Sequence, residues 1–384
     1  METPNKKVCI VATTGFAINW FMAPHIRELV CNYDVTIIAN GKHSDLTRLD
    51  GANVRFICLD IRREVALIQD IRALFSLWKL FFKYQFDCVH SIMPKSGLLA
   101  MCAAKLAGVP LRCHTFTGQV WATRKGILRY FLMFLDKIVA KSATMLLTDS
   151  PTQQRFLVDN NIAHPSKIKV LADGSVSGVD VQRFMPDSLK RKQMRTTYDI
   201  PTTAMVFLYL GRLKKDKGIC DLSNAFAKVA AQNAKVHLMI VGPDEERLDY
   251  ILLDLAERFP GRVHRIGFTH CPETFMAAAD VFCLPSYREG FGSTIIEAAS
   301  VGLPSVATRI YGITDAVDDG ITGILHEPGN IDQLSAAMLQ FANNPQLCYQ
   351  MGAISRERAI MKFSQERVTK AFVEFYRQLF QQIR

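Results

Sequence analysis

The chain has 384 residues, of which 49% are hydrophobic and 21% charged, with ten cysteines and a formal net charge of +10. That length predicts two domains, each with enough apolar material for its own core. The scattered cysteines include no C-x-x-C pair, and several lie in strand patterns such as Val8-Cys9-Ile10-Val11, which favours buried, reduced thiols in a cytoplasmic protein over a disulfide or a zinc site.

The polar start, Met1 to Lys7, runs straight into the first strand pattern, so no signal peptide is expected. Short β-branched and apolar runs then appear at Val8–Ala12, Val35–Ala39, Val54–Leu59, Cys88–Ile92, Leu111–Phe116, Met145–Thr148 and Ile168–Leu171. Helix-like stretches separate them at Trp20–Cys31, Val65–Tyr84, Lys95–Ala107 and Gly126–Lys141. Alternating strands and helices predict a parallel sheet covered on both faces. The most apolar stretch, Ile127 to Leu147, is broken by Arg129, Asp136, Lys137 and Lys141, so no transmembrane helix is expected.

The basic run Asp187–Thr197, ending before Ile200-Pro201, reads as an interdomain linker, which places the boundary at residues 190/191. A second series of strands comes after it at Ala204–Leu210, Val236–Val241, Val263–Ile266, Val281–Leu284, Ser305–Ala307 and Gly323–Leu325. An amphipathic helix, about Gln365–Leu379, closes the chain and is expected to pack back on the first domain. The expectation is therefore α/β: residues 1–190 as one Rossmann-like doubly wound domain and residues 191–364 as another, facing across a cleft. In such sheets ligands bind beyond the carboxyl ends of the strands.

Two segments in the second half fit that rule. Glu289-Gly290-Phe291-Gly292-Ser293-Thr294-Ile295-Ile296-Glu297 follows the strand Val281–Leu284 and opens a helix. Gly290 and Gly292 let backbone approach a ligand closely, Ser293 suits a cap or a first helical turn, and the helix N-terminus suits a diphosphate. Glu289 and Glu297 can accept hydrogen bonds from hydroxyls at different ends of one ligand. The bland reading of either carboxylate is a cap or dipole partner, which leaves the other Glu and the glycines unexplained. Gly211-Arg212-Leu213-Lys214-Lys215-Asp216-Lys217-Gly218 follows the strand Ala204–Leu210. There Arg212 offers forked hydrogen bonds and Lys217 a point charge to a diphosphate; the alternative is a solvated basic loop.

Together, G-R-x-x-x-x-K-G and E-G-F-G-x-x-x-x-E resemble the retaining glycosyltransferases of family 4, which have the GT-B fold. Val241-Gly242, Ala279-Asp280-Val281, Gly302-Leu303-Pro304, Gly320-Ile321-Thr322-Gly323 and Gly178-Val179-Asp180 stand in the family's usual order. The resemblance implies that Arg212 and Lys217 bind the donor diphosphate, Glu289 the donor sugar and Glu297 the ribose. It implies that backbone at Phe291, Gly292, Ser293 and Thr294 contacts sugar and phosphate, and that the base packs near Phe268–His270. In the first domain it matches Gly15 to a glycine loop near diphosphate and acceptor, and His114 to a histidine that approaches the donor sugar. For the residues alone, Gly15 is equally a tight turn and a lone His114 is commonly a core residue. His90, Ser91 and Lys95 are further candidates for the acceptor side.

Trp20-Phe21 and His114-Thr115-Phe116-Thr117-Gly118 resemble bacterial transferases for capsule, O-antigen and lipid-linked oligosaccharide assembly. This closer resemblance implies a retaining transfer of a hexose or N-acetylhexosamine, from a UDP-sugar, to an undecaprenyl-diphosphate-type saccharide acceptor. No D-x-D motif occurs, so a metal-independent reaction without a cofactor is expected. Charge bears on location. Residues 1–190 hold 24 Lys and Arg against 15 Asp and Glu, about +9, and the rest is near neutral. The mixtures of cations and large apolar residues at Trp78–Tyr84 and Arg124–Phe131 predict peripheral binding to an anionic membrane surface; the alternative is ordinary core with solvated cations. Nucleic acid is not expected, since no recognised module accompanies the basic half. A UDP-N-acetylglucosamine 2-epimerase and a non-catalytic nucleotide-sugar-binding scaffold are the other readings of the same fold.

Overall fold

The computed structural model describes residues 5–62, 64 and 66–381. Val65, where the second helix is predicted to begin, lies outside them, as do the first four and last three residues. The chain forms two compact units. One takes the chain up to Gly178 together with the C-terminal segment from Gln365; the other is Val179–Ser364.

Among the described residues, unit 1 has a seven-stranded sheet: β1 (Lys7–Thr14), β2 (Asp34–Asn40), β3 (Val54–Cys58), β4 (Cys88–Ile92), β5 (Leu111–Phe116), β6 (Met145–Thr148) and β7 (Ile168–Val170). All pairings are parallel, in the order β3-β2-β1-β4-β5-β6-β7. Val8 to Ala12 are completely buried, which is why the central strand reads as an unbroken apolar run rather than an alternation. The predicted helix Trp20–Cys31 is instead a single turn at Gly15–Ala17, a π-helix at Ile18–Met22 and an α-helix at Ala23–Leu29. Pro24 sits at the start of the last piece, where its missing N–H costs least.

The C-terminal helix Gln365–Gln381 belongs to unit 1 and buries Val368, Phe372, Phe375, Tyr376 and Leu379. Phe372 stacks on the imidazoles of His25 (4.4 Å) and His90 (5.6 Å).

Unit 2 has a six-stranded sheet: β8 (Met205–Leu210), β9 (Val236–Val241), β10 (Val263–Ile266), β11 (Val281–Leu284), β12 (Ser305–Thr308) and β13 (Gly323–His326). It too is all parallel, in the order β10-β9-β8-β11-β12-β13.

The expected linker is not one. Ser188–Thr197 is a helix of unit 2, capped by the Asp187 side chain, and the units divide at Gly178/Val179 rather than at 190/191. Two of its basic residues are anchors: Arg191 and Arg195 bind the two oxygens of Asp280 at 2.5 and 2.8 Å. The buried Arg195 also donates to the carbonyls of Ala204 and Ala278. A charge run normally marks solvent; here paired charge and carbonyl acceptors compensate the burial.

Candidate active site

In each sheet the strand order reverses once, between β1 and β4 in unit 1 and between β8 and β11 in unit 2. Loops leaving the carboxyl ends of such a strand pair diverge and leave a crevice. Both sequence motifs of the second half lie at the β8/β11 reversal: Gly211–Gly218 follows β8, and the segment from Pro285 to Gly292 follows β11.

Backbone contact holds the two loops together. A Cβ on Gly218, at φ +73°, would stand 2.0 Å from the Pro285 carbonyl oxygen. A Cβ on Gly312, at φ +83°, would stand 2.4 Å from that of Gly290. Only glycine permits these approaches. The Tyr287 N–H donates to the Asp216 carbonyl at 2.9 Å. Across the loops Lys217 Nζ meets Glu289 Oε1 at 2.6 Å and Arg288 meets Asp216 at 3.2 Å. Burial alone would raise the Asp216 carboxyl; Arg288 and Lys217 outweigh it and hold it below its ordinary value.

Arg212 pairs with Glu245 at 3.0 Å from the loop after β9. Beneath it Tyr209 donates to the Arg212 carbonyl at 2.8 Å. Burial, helped by Glu289 and Asp216, pushes that phenol far above its usual range, so it stays a donor.

The helix Ser293–Val301 starts at this same place. Gly292 is the N-cap, at φ +75°, with no side-chain cap and no acidic residue in the first turn. Ser293 is therefore the first helical residue and not the cap. The first N–H groups of this helix and its dipole remain directed at the crevice without a built-in carboxylate competitor. Phe291 is buried against Phe363 (5.1 Å), so only its backbone faces the loop. Thr294 and Glu297 lie half-buried on the first turns.

Unit 1 places its candidates differently. Gly15 begins the turn after β1, where the Thr14 hydroxyl accepts from Ala17 N–H at 3.3 Å. His114, on β5, is fully buried. Its Nδ1 lies 2.9 Å from Ser91 Oγ, while its buried Nε2 has no partner among the described residues. Gly97 makes room for the ring: a Cβ there would lie 2.3 Å from Cε1. Burial lowers His114 to about 3, so it is a neutral imidazole. His90 does not line an acceptor surface. It is buried in the core, its two nitrogens 2.8 Å from Tyr376 Oη and Thr115 Oγ1, and it fastens the C-terminal helix. Lys95 is held by Asp70 at 2.7 Å and by the Glu64 carbonyl.

The structure thus sets Arg212, Lys217, Glu289, Phe291 and Gly292 on the two loops at the β8/β11 reversal of unit 2 and Ser293, Thr294 and Glu297 on the helix that follows, and sets Gly15 and His114 in unit 1. Sequence reasoning passed over Asp216 and Arg288, the ion pair that ties the loops. A carboxylate set among Arg212, Lys214, Lys215 and Lys217 was the available signal.

Comparison with known proteins fits this architecture. Residues 22–174 match the model of a glycosyl transferase 4-like domain, and residues 190–358 that of glycosyl transferases group 1. The chain belongs to the family 4-type glycosyltransferases. A capsular polysaccharide biosynthesis glycosyltransferase of Staphylococcus aureus is 29% identical over 351 residues, covering 90% of both chains. A UDP-Gal:α-D-GlcNAc-diphosphoundecaprenol α-1,3-galactosyltransferase of Escherichia coli is 28% identical, covering 83% of this chain and 82% of its own. The Anabaena protein HepE, solved in complex with UDP, superposes with a TM-score of 0.80 at 16% identity, over 97% of this chain and all of its own. Sucrose-phosphate synthase of Thermosynechococcus elongatus gives 0.81 at 19%, over 98% and 99%. The fold of this glycosyltransferase is therefore GT-B. The Staphylococcus aureus and Escherichia coli relatives are named as glycosyltransferases, which does not favour the epimerase or scaffold readings.

Proposed function

We propose that this glycosyltransferase moves a hexose or N-acetylhexosamine from a UDP-sugar to a lipid-linked saccharide of the diphosphoundecaprenol kind, with retention, in the assembly of a surface polysaccharide. The observation that carries the reading is the meeting of Arg212, Lys217 and an uncapped helix start at the β8/β11 reversal. Departure of the nucleoside diphosphate breaks the bond from C1 to the phosphate oxygen and leaves negative charge there. Two fixed cations and a helix N-terminus stabilise such charge without a metal. Each cation is already matched by a carboxylate, Glu245 or Glu289, so an arriving diphosphate competes for it while Glu289 turns to the sugar hydroxyls. Glu297, about one turn into the helix that follows the Glu289 loop, accepts from the ribose. The acceptor oxygen bonds to C1 on the face the diphosphate leaves, and its proton passes to the departing phosphate oxygen. Gly15 and the neutral His114 serve the sugar side, His114 through hydrogen bonding and not as a cation.

Anionic membrane association belongs to the same reading. No described helix is long and apolar enough to cross a membrane. Yet Leu67, Ile68, Phe75 and Phe82 on helix Leu67–Tyr84, and Ile127 and Phe131 on helix Gly126–Ser142, are more than half exposed. Both helices flank helix Pro94–Leu106 and carry Lys79, Lys83, Arg129 and Lys137 among the apolar residues. Apolar side chains beside cations suit an interface.

The test is thermal stability with UDP, GDP, ADP, dTDP and their sugars, on the wild type and on Arg212→Ala, with EDTA present throughout. A UDP-specific rise that the variant loses supports the donor site; no rise with any nucleotide on folded protein sinks it. Anomeric NMR of the product decides retention.

A further inference from the structure

At the β1/β4 reversal of unit 1 the chain carries an aromatic pair, the exposed Phe16 and the half-buried Trp20. The Phe16 and Trp20 ring centroids are 5.7 Å apart at 45°, and Phe16 is 55% exposed. The Arg48 guanidinium lies 5.0 Å over the Trp20 ring. Phe16 stands in the turn after β1 and Trp20 in the π-helix Ile18–Met22. A π-helix forfeits regular hydrogen bonding and recurs at functional sites, where it re-aims side chains.

The group is held in place. Asn19, buried between the rings' attachment points, donates to Thr47 Oγ1 at 3.2 Å and accepts from the Arg48 N–H at 2.7 Å. Arg27 donates to the Arg48 carbonyl at 2.7 Å. The loops after β1 and β2, which are neighbours in the sheet, are thus pinned to one another.

A core cluster would bury Phe16, and a solvated loop would not need Asn19 to fix Arg48 beside an indole. Two rings of partly exposed π-face suit a flat, weakly polar partner with polarised C–H groups, and the guanidinium supplies hydrogen bonds at its edge. A pyranose has both: an apolar C–H face and a rim of hydroxyls. Resting on the transfer reading above, we propose that Phe16, Trp20 and Arg48 form the platform on which a pyranose ring of the acceptor saccharide stacks.

Saturation-transfer NMR with a panel of methyl α-glycosides (glucose, galactose, mannose, N-acetylglucosamine, N-acetylgalactosamine) tests this on the full chain. At least one glycoside should receive saturation at the protons of one ring face. Its affinity should fall about tenfold in Trp20→Ala and in Phe16→Ala, and be largely kept in Trp20→Phe. The exposed Phe16 provides the variant least prone to fold poorly, and the UDP-induced thermal rise should be unchanged in all three. Absence of transfer to every glycoside, or transfer unaltered in both alanine variants, overturns the platform. A nucleotide shift without glycoside contact leaves the donor reading standing and removes this one. Glycoside contact without any nucleotide shift does the reverse.

Discussion

Replacing Lys217 by Met separates a structural ion pair from a donor contact. Lys217 and Glu289 meet at 2.6 Å with side chains only 14% and 16% exposed. Breaking a fully buried pair costs about 3–5 kcal/mol, because the remaining charge is stranded. The residual exposure reduces this to about 2 kcal/mol, which for a unit of this size lowers the melting midpoint by about 4–8 °C. The double variant Lys217→Met/Glu289→Gln removes the stranded charge and should recover much of that loss. Turnover should behave oppositely. A charge-assisted hydrogen bond to the diphosphate contributes about 1.5–3 kcal/mol, so kcat/KM should fall about ten- to hundredfold in Lys217→Met and fall further in the double variant. The assay is transfer from whichever nucleotide sugar stabilises the wild type, with melting followed in parallel. If activity recovers along with stability in the double variant, Lys217 only holds the loop and the diphosphate assignment fails.

Gly218→Ala places a Cβ 2.0 Å from the Pro285 carbonyl at a φ of +73°; it should destabilise by about 2 kcal/mol or more and weaken the UDP-induced shift, both read by thermal melting. His90 is lowered to about 3 by burial, whereas in the unfolded chain it titrates near 6.5. Between those values the unfolded state binds the proton and the folded state does not, so stability is lost as pH falls below about 6.5, by about 2 kcal/mol from this group at pH 5. The melting midpoint should therefore drop from pH 7 to 5, and less steeply in His90→Gln; an equal slope in both would discount the histidine. Ile127→Glu with Phe131→Glu should reduce co-sedimentation with phosphatidylserine-containing vesicles without altering melting, and wild-type binding that persists in high salt would argue against the electrostatic part.

Periodicity carried the sheets well because their strands are buried on both faces: Val8–Ala12 and Val281–Leu284 have little other use for so many β-branched and apolar residues. The two loops of unit 2 were legible because glycine spacing and charge type are local properties. What failed was long-range. Nothing in Asp187–Thr197 announces that Arg195 will find Asp280 and two buried carbonyls, so the run looked like a linker. Nothing near His90 announces Tyr376, which lies 286 residues away and arrives on the helix that closes the chain. In both cases a polar residue is buried because its partner comes from a distant segment, and composition reports the residue but not the partner. Trp20 shows a further limit, since its helical pattern is real but the hydrogen-bond ladder shifts to π geometry there.

Net charge gives a misleading map of where an anion should bind. The first 190 residues hold almost all of the excess of +10, yet the loops that suit a diphosphate lie in the nearly neutral remainder. In unit 1 cations such as Lys79 and Lys83 ride on a helix that also exposes Leu67, Ile68, Phe75 and Phe82, which suits the membrane surface proposed above. In unit 2 the cations Arg212 and Lys217 are matched almost one for one by Glu245 and Glu289, and so add nothing to the total. A site that binds and releases a diphosphate, as proposed above, would gain from this. Carboxylate partners hold the cations in place between visits, and the helix start at Gly292 adds partial positive charge that no count of side chains includes. On the donor reading proposed above, local pairing and backbone direction, not the sum of charges, would set the diphosphate at the β8/β11 reversal.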